Sequence, residues 1–135
     1  MEKPGIRQIN LGINGITRNI IGAAIAVHRE LGAGLLESVY EECMAYELTQ
    51  RGMQFERQKP IPVIYRGVPF ECGFRVDFLV ASQVVVELKA VERVLPVHMA
   101  QTLTYLKLTG CKLGLILNFN VEQMVKGVKR VALKL

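Results

Sequence analysis

The sequence predicts an α/β sandwich on a mixed sheet, with helices first, a β-meander next and one crossover at the end. Three observations predict it. Ile16, Ile20, Ala24, Val27 and Leu31 recur at helical spacing near the start of the chain. From Phe55 to Ala90 the period changes to two, in segments rich in β-branched and aromatic residues. The order strand, helix, strand then follows over 84–119, and it contains Leu113-Gly114-Leu115-Ile116-Leu117, an apolar run expected of a strand buried on both faces. Such a parallel crossover should be right-handed.

Taken in order, residues 1–13 read as an extended N-terminal segment and 14–135 as a single domain. A first helix is predicted over about 15–31, capped by Asn14 or Thr17 and broken by Gly32-Ala33-Gly34. A second runs over about 35–51, with Gly52 as its stop. A strand around 60–65 contains Pro60 and Pro62, which place it at a sheet edge. Arg66-Gly67 turns the chain into a long strand over 68–80, where Gly73 marks a bulge. The strand at 84–90 follows. A third helix spans about 97–108 between Pro96 and Gly110. The strand at 113–119, a short helix around 121–126, Gly127 and a last strand at 128–133 complete the domain.

Composition narrows the class. A chain of 135 residues, half of them hydrophobic, can bury a substantial core. No run of about 18 apolar residues exists, so no membrane span is expected, and no signal peptide is evident. Cys43, Cys72 and Cys111 are odd in number and widely spaced, without zinc-site spacing. They read as free thiols packed as small hydrophobes in a reducing cytoplasm. The net charge of +5 is mildly favourable for a polyanion such as nucleic acid.

The chemistry concentrates on Asp77, Glu87 and Lys89. They lie on the runs 74–80 and 84–89, which read as a β-hairpin around Ala81-Ser82-Gln83. If those three residues form the loop, Val80 pairs with Val84, Asp77 falls opposite Glu87, and all three charged residues share a face. Two carboxylates about 5 Å apart repel by roughly 3 kcal/mol at an effective dielectric of about 20. A proton, Lys89 or a bound cation must offset this. The bland alternative is a neutral ion-pair cluster of Arg75, Asp77, Glu87 and Lys89 on a solvated face.

Two helices point toward the same patch. Glu37 is in line with Tyr40, Met44 and Leu48, an apolar stripe, so it should face the sheet and need a partner. Alternatively it is a first-turn acid stabilised by the helix dipole. Glu41, Glu42 and Glu47 read as solvated charges. On the third helix Met99, Leu103 and Leu106 form an apolar stripe, and His98, Gln101, Thr102 and Tyr105 a polar one. Gln101 and Tyr105, at i and i+4, act as neighbours on a shoulder reaching toward the Glu87 strand. His98 reads as a metal ligand or, more often for one histidine among carboxylates, a hydrogen-bonding or phosphate-contacting residue. His28 reads as a packed histidine with one polar partner.

Gly34-Leu35-Leu36-Glu37-Ser38-Val39-Tyr40 has the form G-x-x-E-x-x-Y and resembles the signature of the bacterial GxxExxY family, a branch of the PD-(D/E)xK nuclease superfamily. The resemblance extends from about Ile20 to Val131. It includes 27–32, Val86-Glu87-Leu88-Lys89-Ala90, Leu95-Pro96-Val97-His98 and Leu117-Asn118-Phe119-Asn120. It implies a restriction-endonuclease-like core, a four-stranded mixed sheet flanked by helices, with a magnesium-dependent site in which manganese substitutes. On this likeness Glu37 is the helix-borne acid, Asp77 the metal-binding aspartate, and Glu87 and Lys89 the E-x-K pair. Gln101 and Tyr105 match the Q-x-x-x-Y helix. The proline that often precedes the aspartate is absent, Val76 standing there.

The first functional reading is a phosphodiesterase acting on DNA or RNA, its metal held by Asp77, Glu87, the Leu88 carbonyl and Glu37. Lys89 and Gln101 serve the chemistry, and Tyr105 and His98 the substrate. A second is a non-catalytic module that keeps the fold and binds nucleic acid or a protein. A third is a self-associating accessory protein using edge strands near 60–66 or 128–133.

Overall fold

The computed structural model describes residues 12–133. Residues 1–11 of the expected N-terminal segment lie outside them. Helix α1 spans Ile13–Leu31 and α2 Glu37–Gln50. Neither has a side-chain cap; Gly12 and Leu36 hold the N-cap positions. Because α1 begins two residues earlier than expected, Asn14 falls inside its first turn, and Thr17 Oγ1 donates to the Asn14 carbonyl at 3.1 Å. Gly32, at φ 69°, ends α1, and its N–H donates to His28 O. Gly52, at φ 71°, follows α2 as expected.

The strands are β1 (Phe55–Pro60), β2 (Val63–Tyr65), β3 (Val68–Phe70), β4 (Arg75–Val80), β5 (Val84–Lys89), β6 (Leu113–Asn118) and β7 (Val128–Ala132); α3 (Pro96–Thr109) joins β5 to β6. Five of them form one sheet in the order β1-β4-β5-β6-β7, in which only β5 and β6 are parallel. The crossover through α3 is the one predicted, and β6 is buried along its whole length, as its apolar run requires. Helices α1 and α2 cover one face, packing Ile20, Tyr40 and Met44 against Phe78, Val86 and Leu115. Helix α3 covers the other, packing Tyr105 and Leu106 with Val85, Leu79 and Ile116. Close approach of α3 depends on Gly114, where a Cβ would lie 2.8 Å from Thr102 Cγ2.

The sheet thus has one more strand than the expected four. Pairing with β4 begins at Phe55, and Pro60 ends β1. Two prolines without N–H groups cannot carry a strand through 60–65. The expected long strand over 68–80 is two strands. Residues 71–74 separate them, with Gly73 at φ 77°. β2 and β3 pair only with each other, around an Arg66-Gly67 turn with both φ values positive (51° and 77°), the primed type that suits hairpins. The short helix expected at 121–126 is a 3-10 turn at Met124–Gly127. The three cysteines are free, but Cys72 is exposed rather than packed. Among the described residues no helix is long and apolar enough to cross a membrane.

Candidate active site

The β4–β5 hairpin has a closed end and an open end. At the closed end Val80 pairs with Val84, Leu79 with Val85 and Phe78 with Val86, around the three-residue loop. Ala81 and Ser82 adopt positive φ there, 53° and 56°. One step further the same register sets Asp77 opposite Glu87, and there side chains replace the backbone ladder. Asp77 N–H donates to Glu87 Oε1 at 3.4 Å, and Leu88 N–H donates to Asp77 Oδ2 at 2.7 Å. The N–H and C=O of one strand residue point to the same edge, so the Leu88 carbonyl also points into this opening. Lys89 O, one residue on, points the other way and accepts from Phe119 N–H at 2.9 Å.

The neighbouring edge strand is distorted at the same level. Gln58, at φ 51°, stands across from Asp77, between the regular pairs Arg57 with Phe78 and Lys59 with Val76. Val76 packs with the α3-side cluster while Phe78 packs with the α1–α2 side. A regular strand would put both on one face. Strand β4 therefore turns over at Asp77, and simple alternation, which puts Asp77 squarely on the Glu87 face, does not hold there. Asp77 is half-buried at this reversal, bonded to Gln58 on the β1 side and to Leu88 and Glu87 on the β5 side.

Glu87 is 6 % exposed. Burial, then the Asp77 charge beside it, pushes its carboxyl up to about 9, against a smaller opposing effect of Lys89. Among the described residues neither acid, nor Lys89, nor Arg75 makes an ion pair, so the neutral cluster is not formed. Tyr105, buried on α3, has its hydroxyl pKa raised by burial, then by the charges of Glu87 and Asp77. Its ring meets Phe74 edge-on at 6.1 Å. Thr102 and Tyr105 of the polar stripe are buried against the sheet, with half-buried Gln101 one turn before Tyr105. His98 Nδ1 accepts Leu95 N–H at 3.0 Å, so one ring nitrogen serves the start of α3.

On α2 the stripe of Tyr40, Met44 and Leu48 is buried, but Glu37 is exposed. Tyr40 in the same turn is buried in the core, so the stripe's inward direction holds from Tyr40 onward and does not extend back to Glu37. Glu41, expected to be solvated, is instead mostly covered. It bonds Arg57 Nε at 2.7 Å and accepts from Gln58 Nε2, which also donates to Asp77 Oδ1 at 3.0 Å. Gln58 and Glu41 are the site residues that sequence reasoning missed. Glu41 carries a signal, being one turn on from Glu37; Gln58 becomes visible only once β1 is drawn beside β4.

Other motif residues brace the site. Tyr40 Oη donates to Gly32 O at 2.7 Å and accepts Leu35 N–H at 3.2 Å. Its ring stacks on Phe119 at 4.4 Å, and Phe119 is bonded to Lys89. The first turn of α2, with Glu37, is thereby held at the Lys89 end of β5. Asn118 clamps the segment after β5 by bonding both N–H and C=O of Val91. Gly127 lies so close to the Asn118 carbonyl that a Cβ would overlap it. His28 Nε2 donates to Val121 O at 2.7 Å, the single polar partner expected.

The family model described as PD-(D/E)XK nuclease superfamily matches residues 14–131. The chain belongs to the PD-(D/E)XK nuclease superfamily. No curated protein matches the chain, and no solved structure does. PD-(D/E)XK nucleases generally use divalent metal ions. Among the described residues no set of three His, Cys, Asp or Glu side chains is gathered to hold one. The donor chemistry nevertheless fits. Asp77 and Glu87 are adjacent hard oxygen donors, Glu87 buried and Asp77 half-buried, and burial with the Asp77 charge beside it pushes the Glu87 carboxyl up. A small divalent ion binds through one or two carboxylates and fills its remaining positions with water and substrate oxygens.

Proposed function

We propose that this chain is a metal-dependent nuclease of the GxxExxY branch, with residues 14–135 acting as one domain that hydrolyses phosphodiester bonds in DNA or RNA. The observation that carries the reading is the Asp77–Glu87 pair: Glu87 buried, Asp77 half-buried with its N–H donating to Glu87 Oε1, and neither acid ion-paired among the described residues. The two carboxylates and the Leu88 carbonyl would hold the ion, with Glu37 as a further oxygen donor from the first turn of α2. Magnesium suits such a set, and manganese would substitute. When bound, the ion would neutralise charge at the phosphate and lower the pKa of a water.

The chain's own residues supply the rest. Lys89 lies close enough to Glu87 for its charge to be felt, and it would hold a compact cation where negative charge develops. Gln101 would orient Lys89 or a water. Tyr105, its hydroxyl held protonated, would donate to a phosphate oxygen. His98, with Nδ1 engaged by Leu95, would contact substrate through Nε2. Gln58 and Glu41 would fix the Asp77 carboxylate from the α2 side. Free thiols suit a reducing compartment, the cytoplasm.

The test is hydrolysis of single- and double-stranded DNA and RNA with magnesium or manganese. Cleavage lost in Glu87→Gln and Lys89→Ala supports the reading, and cleavage unchanged in both contradicts it. Binding with a steep salt dependence, no metal requirement and no cleavage would instead indicate a module that keeps only the fold.

A further inference from the structure

We propose that the β2–β3 hairpin is a stacking platform for unpaired bases, which makes the preferred ligand single-stranded nucleic acid or the frayed end of a duplex. The inference deepens the nuclease reading and rests on it for the substrate's fate, though not for its test.

The hairpin leaves the sheet between Gln58 and Asp77, so both of its ends enter strands that build the site. Every residue from Ile64 to Arg75 is exposed. Cross-strand partners share a face, and the pairs Val63 with Phe70 and Tyr65 with Val68 therefore put four apolar side chains on one side. Tyr65 is 61 % and Phe70 47 % exposed. A two-stranded hairpin is marginal alone in water, and a contiguous apolar face on it marks a binding surface.

Charge and size identify the occupant. The Arg66 guanidinium lies 5.6 Å from the centre of the Tyr65 ring, a cation beside an aromatic platform. Arg66 and Arg75 make no ion pair among the described residues. Aromatic faces interleaved with unpaired arginines suit bases and phosphates together. Three-residue strands are only about 10 Å long. Four side chains on that length fall far short of the roughly 800 Å² per partner of a stable protein interface. They match one or two bases. Bases inside a duplex have no free face to offer. The platform also connects to the chemistry: Ile61 N–H donates to Phe74 O at 2.9 Å at the hairpin's base, and Phe74 meets Tyr105.

The chain contains no tryptophan, so Tyr65→Trp introduces a single reporter at an exposed position. Val125→Trp, at a 62 % exposed position on the 3-10 turn, is the control. Titrating each variant with a short oligothymidylate in EDTA prevents cleavage. Emission at position 65 should be quenched along the same curve as fluorescence anisotropy of the labelled oligonucleotide, with no change at 125. Tyr65→Ala should weaken oligothymidylate binding roughly ten- to hundredfold and leave binding of a duplex of equal length unchanged. Binding without quenching at 65, equal weakening for both forms, or no binding of either overturns the proposal. Quenching driven by protein concentration alone, with a doubled mass in light scattering, overturns it in favour of a second copy of this chain. A protein that cleaves nothing leaves this test intact, and a cleaving enzyme with silent position 65 removes only the hairpin's role.

Discussion

The two ends of the β4–β5 hairpin are built from similar sequence and do opposite work. At the loop end Phe78, Leu79 and Val80 pair regularly with Val86, Val85 and Val84, and every one of these side chains is buried. At the other end the ladder gives way to side-chain bonds around Asp77 and Glu87. The closed end fixes the register, and the open end spends that precision on holding two acids together. A site of this kind is a sheet interrupted at one rung. Stability and chemistry should therefore separate when the two ends are mutated in turn.

Exchanging the acids should show the biggest change. Glu87→Gln or Asp77→Asn should lower phosphodiester hydrolysis roughly thousandfold or more. The melting temperature of Glu87→Gln at neutral pH should rise rather than fall, because Gln mimics the protonated form without having to take up a proton on folding. Phe78→Ala should behave in the reverse way, costing about 3–5 kcal/mol in urea denaturation while the folded fraction keeps its rate.

Proton linkage sharpens the contrast. The folded state raises Glu87 from 4.5 to about 9, so the native protein keeps a proton that the unfolded chain releases. Its contribution is complete below pH 4.5 and drains away as pH rises to about 9. Metal-free wild type should lose stability relative to Glu87→Gln across that window, by at most about 1.4 kcal/mol per pH unit. Thermal melts of the two proteins from acid to alkaline pH check the slope.

Smaller effects come from the supports. Gln58→Ala frees Glu41 from Asp77 and should weaken metal affinity roughly ten- to hundredfold, read by calorimetry. Tyr40→Phe removes one hydroxyl bonded to Gly32 and Leu35 and should cost about 1–2 kcal/mol of stability, with metal affinity unchanged.

Much of this was legible in the sequence because it depends on local rules. The three-residue loop fixes which residues face each other, and the apolar run at Leu113–Leu117 can only be a strand buried on both sides. What escaped depends on tertiary placement. Pro60 and Pro62 drew the edge strand toward the wrong segment, so β1 and Gln58 went unseen. The turnover of β4 at Asp77 follows from the distorted Gln58 rung, which no pattern announces. The helical stripe correctly buried Tyr40, Met44 and Leu48, but it does not carry back to Glu37, the first residue of the helix, which is exposed. Gly34, Tyr40 and Phe119 carry the family resemblance, and in the structure Tyr40 and Phe119 hold the loop before α2 to the end of β5.

Proton release on metal binding examines the open end of the hairpin itself. Calorimetric titration of magnesium or manganese at pH 7, in buffers of different ionisation enthalpy, should show about one proton released per ion in the wild-type protein and none in Glu87→Gln. Metal binding without proton release in the wild type, or no saturable binding at all, would contradict a cation site made by Asp77 and Glu87.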